Sequence, residues 1–183
     1  MGIKRAAIGE ILIIHEQPHA DERGWLSETY RTTRLAEFGV DCRWNQENLV
    51  FTKRRGTLRG LHFQAPPHAQ AKLLRVLKGE VFDVAVDLRM NAPTFGRHVA
   101  MRLSADQGPQ IYVPAGFAHG YCTLTDNVEF LYKCSAEYAP VSEAGLMWND
   151  PALEIDWPFD SARMIVNTRD AAWPRLAELK SPF

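Results

Sequence analysis

His62 and Lys72 stand ten residues apart in "RGLHFQAPPHAQAKLLRVLKGE", Arg59 to Glu80. The histidine is set in an apolar run, the lysine opens the next one, and Pro66-Pro67 lies between them. An imidazole is a base near neutral pH, a hydrogen-bonding group or a metal ligand, and an ammonium is a compact positive charge. Held near each other inside a β-structure, they could remove a proton from a carbon acid and counter the charge that develops on a neighbouring oxygen. The plainer reading of His62 is a core histidine satisfied by hydrogen bonds, the usual state of a buried polar group.

Positioning such a pair falls to strands, because short apolar runs recur between turn residues about every ten positions with no fixed repeat and no Gly/Ser tract. Strands are predicted at Trp25 to Arg31, Trp44 to Thr52, Thr57 to Gln64, Leu73 to Leu77, Val81 to Leu88, His98 to Leu103, Gln110 to Val113, Gly120 to Thr125 and Val128 to Ser135. Leu73–Leu77 and Val81–Leu88 read as a pair joined at Lys78-Gly79-Glu80, where glycine supplies the φ > 0 of a tight turn. "RTTRLAEFG" predicts one short helix capped by Thr32 or Thr33 and ended by Gly39, and the tail from Asp170 to Leu179 predicts another. Many antiparallel strands with few helices imply an all-β fold, a jelly-roll sandwich or barrel of the cupin type, in a single domain over residues 1–183.

Alternation puts His62 on a face with Leu58, Gly60 and Gln64, and Leu61 and Phe63 on the other. Asp83 and Asp87 share a face opposite Phe82, Val84, Val86 and Leu88, and a carboxylate inside a barrel needs a compensating partner. "PAGFAHG" supplies His119, whose ring N–H either Asp83 or Asp87 could orient. Each aspartate taken singly could equally tie a turn.

The 183 residues, 46% of them hydrophobic, carry 21 basic and 22 acidic side chains for a net charge of -1. That balance argues against a general nucleic-acid or membrane-surface binder and makes any phosphate recognition local. Neither Gly-x-x-x-x-Gly-Lys nor a strand-borne Gly-x-Gly-x-x-Gly occurs, so side chains would have to hold a nucleotide. Cys42, Cys122 and Cys134 form no Cys-x-x-Cys pair, "ILII" is too short for a signal core and no apolar run reaches the length of a membrane span. A soluble cytoplasmic protein is expected.

"RGLHFQ", "QAKLLRVLKGEVFDVAVDLR", "PTFG", "VPAGFAHG", "YKCSAEYAPVSEAGLMWNDP" and "IDWP" together resemble the dTDP-4-dehydrorhamnose 3,5-epimerase family, collinearly over nearly the whole chain. Metal-binding cupins resemble this chain at Pro114-x-Gly116-x-x-His119, but their other motif is here His62-x-Gln64, and Lys72 stands where they place a glutamate. The resemblance therefore implies a cavity that works without metal or other cofactor, since an ammonium repels a divalent cation.

For the residues, the resemblance implies that His62 is the base, Asp170 in "NTRD" the carboxylate orienting it, Lys72 a contact beside the ketone and Tyr132 in "YKC" the proton donor. It also implies substrate contacts at Arg23, Glu28, Gln46, Asn48, Arg59, His119, Glu143 and Arg169, with Tyr138 stacking on thymine and Asp83 in support. The implied substrate is dTDP-4-dehydro-6-deoxy-glucose, whose carbons 3 and 5 both flank the carbon-4 ketone, and the implied assembly is a homodimer. Two alternatives stay open: an epimerase acting at carbon 3 alone or on a related nucleotide sugar, and a metal-binding or sugar-sensing cupin.

Overall fold

The computed structural model describes residues 2–106 and 108–183. Its first strands are β1 (Gly2–Arg5), β2 (Leu12–His15), β3 (His19–Asp21) and β4 (Gly24–Leu26), followed by helix α1 (Thr32–Ala36). Then come β5 (Gln46–Thr52), β6 (Leu58–Gln64), β7 (Lys72–Lys78), β8 (Glu80–Asp87), β9 (His98–Ser104), β10 (Gln110–Val113), β11 (Phe117–Thr123), β12 (Val128–Cys134) and β13 (Glu143–Gly145). Two antiparallel sheets result, ordered β1-β2-β10-β7-β12-β5 and β13-β6-β11-β8-β9, with β3 and β4 forming a separate hairpin. This is the expected cupin-like β-sandwich.

Alternation explains the packing. Leu74 and Val76 of β7, Val81 and Ala85 of β8, Phe117 and Tyr121 of β11, and Val128 and Phe130 of β12 meet in the core between the sheets. The opposite faces of β6, β8 and β11 send Leu58, Leu61, Val84, Val86 and Ala118 outward, where Leu146, Trp148, Leu153 and the C-terminal segment cover them. That second layer is why "VFDVAVDL" reads as nearly unbroken apolar sequence: β8 is buried on both faces. A third cluster packs α1 through Leu35 onto Leu12, Ile14 and Leu73.

Several expectations need correction. β7 and β8 are not paired: β7 lies between β10 and β12 in one sheet, and β8 lies between β11 and β9 in the other. Gly79 does take a positive φ of 79°, but its turn carries the chain from one sheet to the other. A Cβ there would stand 2.4 Å from Thr125 Oγ1, so glycine is needed for space as well as conformation.

The strand predicted over Trp25–Arg31 shrinks to β4, and the tail makes only a 3-10 turn at Asp170–Ala172. Pro174 accounts for the second, since it pushes Trp173 into extended backbone with ψ 151°. Neither Thr32 nor Thr33 caps α1; Arg31 is its N-cap without a side-chain bond, and the Thr32 hydroxyl pairs with Tyr30. Among the described residues no helix is long and apolar enough to cross a membrane.

Candidate active site

Both sheets contribute to a cavity of about 360 Å³. The six-stranded sheet supplies Gln46 and Asn48 from β5, Lys72 from β7, and Tyr132 and Cys134 from β12; the five-stranded sheet supplies Arg59 and His62 from β6, His119 and Tyr121 from β11, and Glu143 from β13. Asn167, Arg169 and Asp170 close it from the tail. Of the residues named from the sequence, only Arg23 and Glu28 lie elsewhere and Asp83 lies behind the wall. Arg23 is bound to Asp21 and Glu28 to Arg31, all in the exposed N-terminal region.

Arg59 and His62 are three residues apart and would face opposite ways on a regular strand. The pairing of β6 with β11 slips between them, because His119 stands opposite His62 while Tyr121, two residues on, stands opposite Arg59. That bulge turns both side chains into the cavity and sends Leu58 to the outer core with Leu61 and Phe63, correcting the expectation that Leu58 shares the face of His62. Gly60 makes it possible: its φ is 139°, and a Cβ there would meet Gly120 Cα at 2.5 Å.

His62 Nε2 lies 2.7 Å from Asp170 Oδ1, while Gly60 N–H donates to Asp170 Oδ2 at 3.0 Å. The Asp170 carboxylate is fully buried. Burial alone would raise its pKa, but the hydrogen bond and charge of His62, the Gly60 amide and Arg169 together hold it below the usual carboxylate value. An ionised Asp170 can only accept, so Nε2 carries the ring proton and Nδ1 is left with the lone pair of a base. Asn167 holds the aspartate in place, its Oδ1 accepting the Asp170 N–H at 2.7 Å.

A second pair stands directly opposite on the next strand: His119 Nε2 bonds Asp83 Oδ2 at 2.8 Å, with both side chains buried. Asp87 does not share this role. Arg89 and Thr94 bind it, so it ties the β8–β9 connection.

Lys72 faces the cavity without an ion pair among the described residues, and burial pushes its pKa below the ordinary lysine value against the weaker pull of Cys134, Asp83 and Glu143. Burial also pushes the Tyr132 phenol up to about 12, so it is a protonated donor at neutral pH. At the mouth, Tyr138 donates to Glu143 Oε2 at 2.8 Å and Arg169 pairs with the same carboxylate, leaving the Tyr138 ring half-exposed.

A family model described as dTDP-4-dehydrorhamnose 3,5-epimerase matches residues 5–178. The chain belongs to the dTDP-4-dehydrorhamnose 3,5-epimerase family. It is thus an isomerase, as the sequence resemblance implies. The dTDP-4-dehydrorhamnose 3,5-epimerase of Salmonella typhimurium is 44% identical over 96% of each chain. Among solved structures, the dTDP-6-deoxy-D-glucose-3,5-epimerase of Legionella pneumophila, in complex with dTDP-4-keto-L-rhamnose, superposes with a TM-score of 0.92 at 40% identity, covering 98% of this chain and 94% of that one. A 3'-monoepimerase from Streptomyces bikiniensis in complex with dTDP-quinovose superposes at 0.87 with 34% identity, covering 95% and 87%.

Sequence reasoning missed Gln70, Tyr121, Cys134 and Asn167 in the wall of this epimerase-family cavity. Asn167 carried a signal, an Asn three residues before the aspartate whose amide it caps. Among the described residues no three His, Cys, Asp or Glu side chains are grouped to hold a metal ion, and Lys72 sets an ammonium in the cavity that would repel a divalent cation. Purified protein should therefore contain no stoichiometric metal and keep its activity in chelator, as elemental analysis and assay can check. Near-stoichiometric zinc, iron or manganese whose removal abolishes turnover would contradict this.

Proposed function

We propose that this chain epimerises carbons 3 and 5 of dTDP-4-dehydro-6-deoxy-glucose, giving dTDP-4-dehydro-L-rhamnose through enolate intermediates without a cofactor. The observation that carries the reading is the placement of base and acid on facing sheets: His62, with its Asp170-held imidazole, on β6, and Tyr132 on β12. Inversion requires a proton to leave one face of a carbon and return to the other, which two groups on opposite walls can do. Lys72, on the strand beside Tyr132, supplies positive charge for the carbon-4 oxygen as the enolate forms.

The nucleotide is a handle whose binding positions the sugar. In this reading Arg59 and Arg169 take the diphosphate, Tyr138 stacks on thymine, and Gln46, Asn48, His119 and Glu143 complete the contacts. Incubation with this substrate in deuterated water, followed by identification of the labelled carbons and the product configuration, tests it. Label at carbons 3 and 5 with the L-sugar as product is expected, and no exchange would refute the reading. The similarity to a 3'-monoepimerase favours one second reading, inversion at carbon 3 alone, for which label and inversion would be confined to that carbon.

We further propose that residues 1–183 act as one cytoplasmic epimerase domain within a homodimer. β5 is an edge strand with Leu49 and Phe51 exposed, and the β3–β4 hairpin, joined to neither sheet, exposes Trp25 and Leu26. A second copy that covers these surfaces would close the edge, and would bring Arg23 and Glu28 to a neighbouring cavity they do not reach in their own chain. Light scattering at assay concentrations should give the dimer mass. An active monomer would refute the assembly.

A further inference from the structure

Beyond β12 the chain leaves regular structure and runs as "SAEYA", residues 135–139, to the 3-10 turn at Pro140–Ser142. This stretch carries Tyr138, whose half-exposed ring stands at the cavity mouth. A loop outside helix and sheet ordinarily gives its backbone groups to water and keeps many conformations. Here side chains take the place of a ladder. Gln70 Nε2 donates to the Ala136 carbonyl at 2.7 Å and Gln64 Nε2 to the Glu137 carbonyl at 3.2 Å. Gln46 Oε1 accepts the Tyr138 N–H at 2.7 Å, and Gln64 Oε1 accepts the Ala139 N–H at 2.8 Å. Ser135 is tied to Ala71, its N–H donating to the Ala71 carbonyl at 3.0 Å and its hydroxyl accepting the Ala71 N–H at 2.8 Å. All five residues are thus held from other strands and loops.

Gln64, the last residue of β6, is the centre of this arrangement and is 4% exposed. Its Nε2 donates also to the His68 carbonyl at 2.7 Å, so one carboxamide faces two carbonyls with its nitrogen and an N–H with its oxygen. Only an amide side chain meets both demands, and a carboxylate would set an acceptor against two others. Both amide hydrogens are spent within the protein, so the work of Gln64 is done on the chain rather than on a ligand. The far end of Tyr138 is fixed as well, its hydroxyl donating to Glu143, which stands opposite Gln64 in the pairing of β13 with β6.

We infer that Gln64, with Gln70 beside it, is a positioning residue for nucleotide binding: it orders residues 135–139 before the ligand arrives, so that the Tyr138 ring stands ready for the thymine. The inference rests on the reading above in which Tyr138 stacks on that base. Ordering the loop in advance removes a cost that binding would otherwise carry.

A double-mutant cycle read by titration with dTDP tests it. Tyr138→Leu removes the ring and leaves Glu143 paired with Arg169, and it should weaken dTDP binding about five- to 150-fold, the range for stacking one base. Gln64→Met keeps the length and removes every bond to the loop; it should weaken dTDP binding about three- to tenfold through lost order. In the Tyr138→Leu background Gln64→Met should cost nothing more, because the ring it positions is gone. A glutamine serving the fold alone would lower the melting temperature and leave dTDP affinity unchanged, and one touching the nucleotide would weaken it equally in both backgrounds; either result overturns the inference. So does unchanged affinity in Tyr138→Leu, which removes the stacking itself. If Gln64→Met fails to fold, Gln70→Met, which removes a single bond, is read in the same cycle by the same criteria. Turnover of dTDP-4-dehydro-6-deoxy-glucose by the wild type separates the failures: an inert wild type overturns the epimerase reading, whereas a failed cycle in an active enzyme overturns only the role of Gln64.

Discussion

His62→Asn should abolish both solvent deuterium exchange into the sugar and product formation, a loss of at least about 10²–10⁴-fold for removal of a positioned general base. Asparagine reaches only as far as the Nδ1 position and does not repeat the Nε2 contact, but the Gly60 N–H still donates to the Asp170 carboxylate and keeps it partnered. What disappears is the basic lone pair of the imidazole. Tyr132→Phe should fail differently. Its phenol, held protonated by burial, acts after the proton has left, so this variant should still exchange to some extent yet yield little inverted product. Mass spectrometry and proton NMR of the sugar after incubation in deuterated water separate the two behaviours. If the His62→Asn protein exchanges at the wild-type rate, another residue is the base and the mechanism is wrong.

Lys72→Met should slow exchange and inversion together, by about a hundredfold or more, because both carbons are acidified through the same carbon-4 oxygen and both enolates lose the same cation. Stability should move the other way. Burial makes the charged form of Lys72 costly in the free protein, and a methionine of similar length fills the position without that cost. The sign with pH follows from the depressed pKa. Between that value and the ordinary lysine value near about 10.4, the unfolded chain binds more protons than the folded one, so stability rises with pH across this window. Below the window both states carry the charge and the full cost is present. Thermal melts should show this rise for wild type and its absence in Lys72→Met. The kcat/KM profile, which reports free-enzyme groups, should lose its alkaline limb in the same variant. Equal pH dependence of stability in the two proteins would show that Lys72 is not the group responsible.

Much of the sandwich was legible because inward and outward residues alternate cleanly along β7, β8, β11 and β12. Asp83 could thus be placed inside by counting, whereas Lys72 and Tyr132 owed their places to the family resemblance. Strand partners were not legible in the same way. A glycine with positive φ between two apolar runs describes equally a hairpin within one sheet and a crossing between two, and at Gly79 the second holds because β7 pairs with β10 and β12 while β8 pairs with β9 and β11. The tail was opaque for a related reason. Asp170 lies 108 residues from His62, and nothing local to "NTRD" marks it as the partner of an imidazole; the family resemblance supplied that link. Tyr121 was missed because an inward tyrosine next to apolar neighbours reads as core.

The bulge at Gly60 makes the active site a matter of residue count as well as residue identity. Upstream of it Arg59 faces the cavity, and downstream His62 does, so the strand carries two reading frames joined at one inserted position. Deleting Gly60 would leave every catalytic side chain in the sequence and merge the frames. With the downstream pairing of β6 kept, Arg59 would rotate toward the apolar layer of Leu146 and Trp148, and Leu58 would turn into the cavity. For this stretch of the protein, a change in length is therefore a more drastic mutation than most changes of letter.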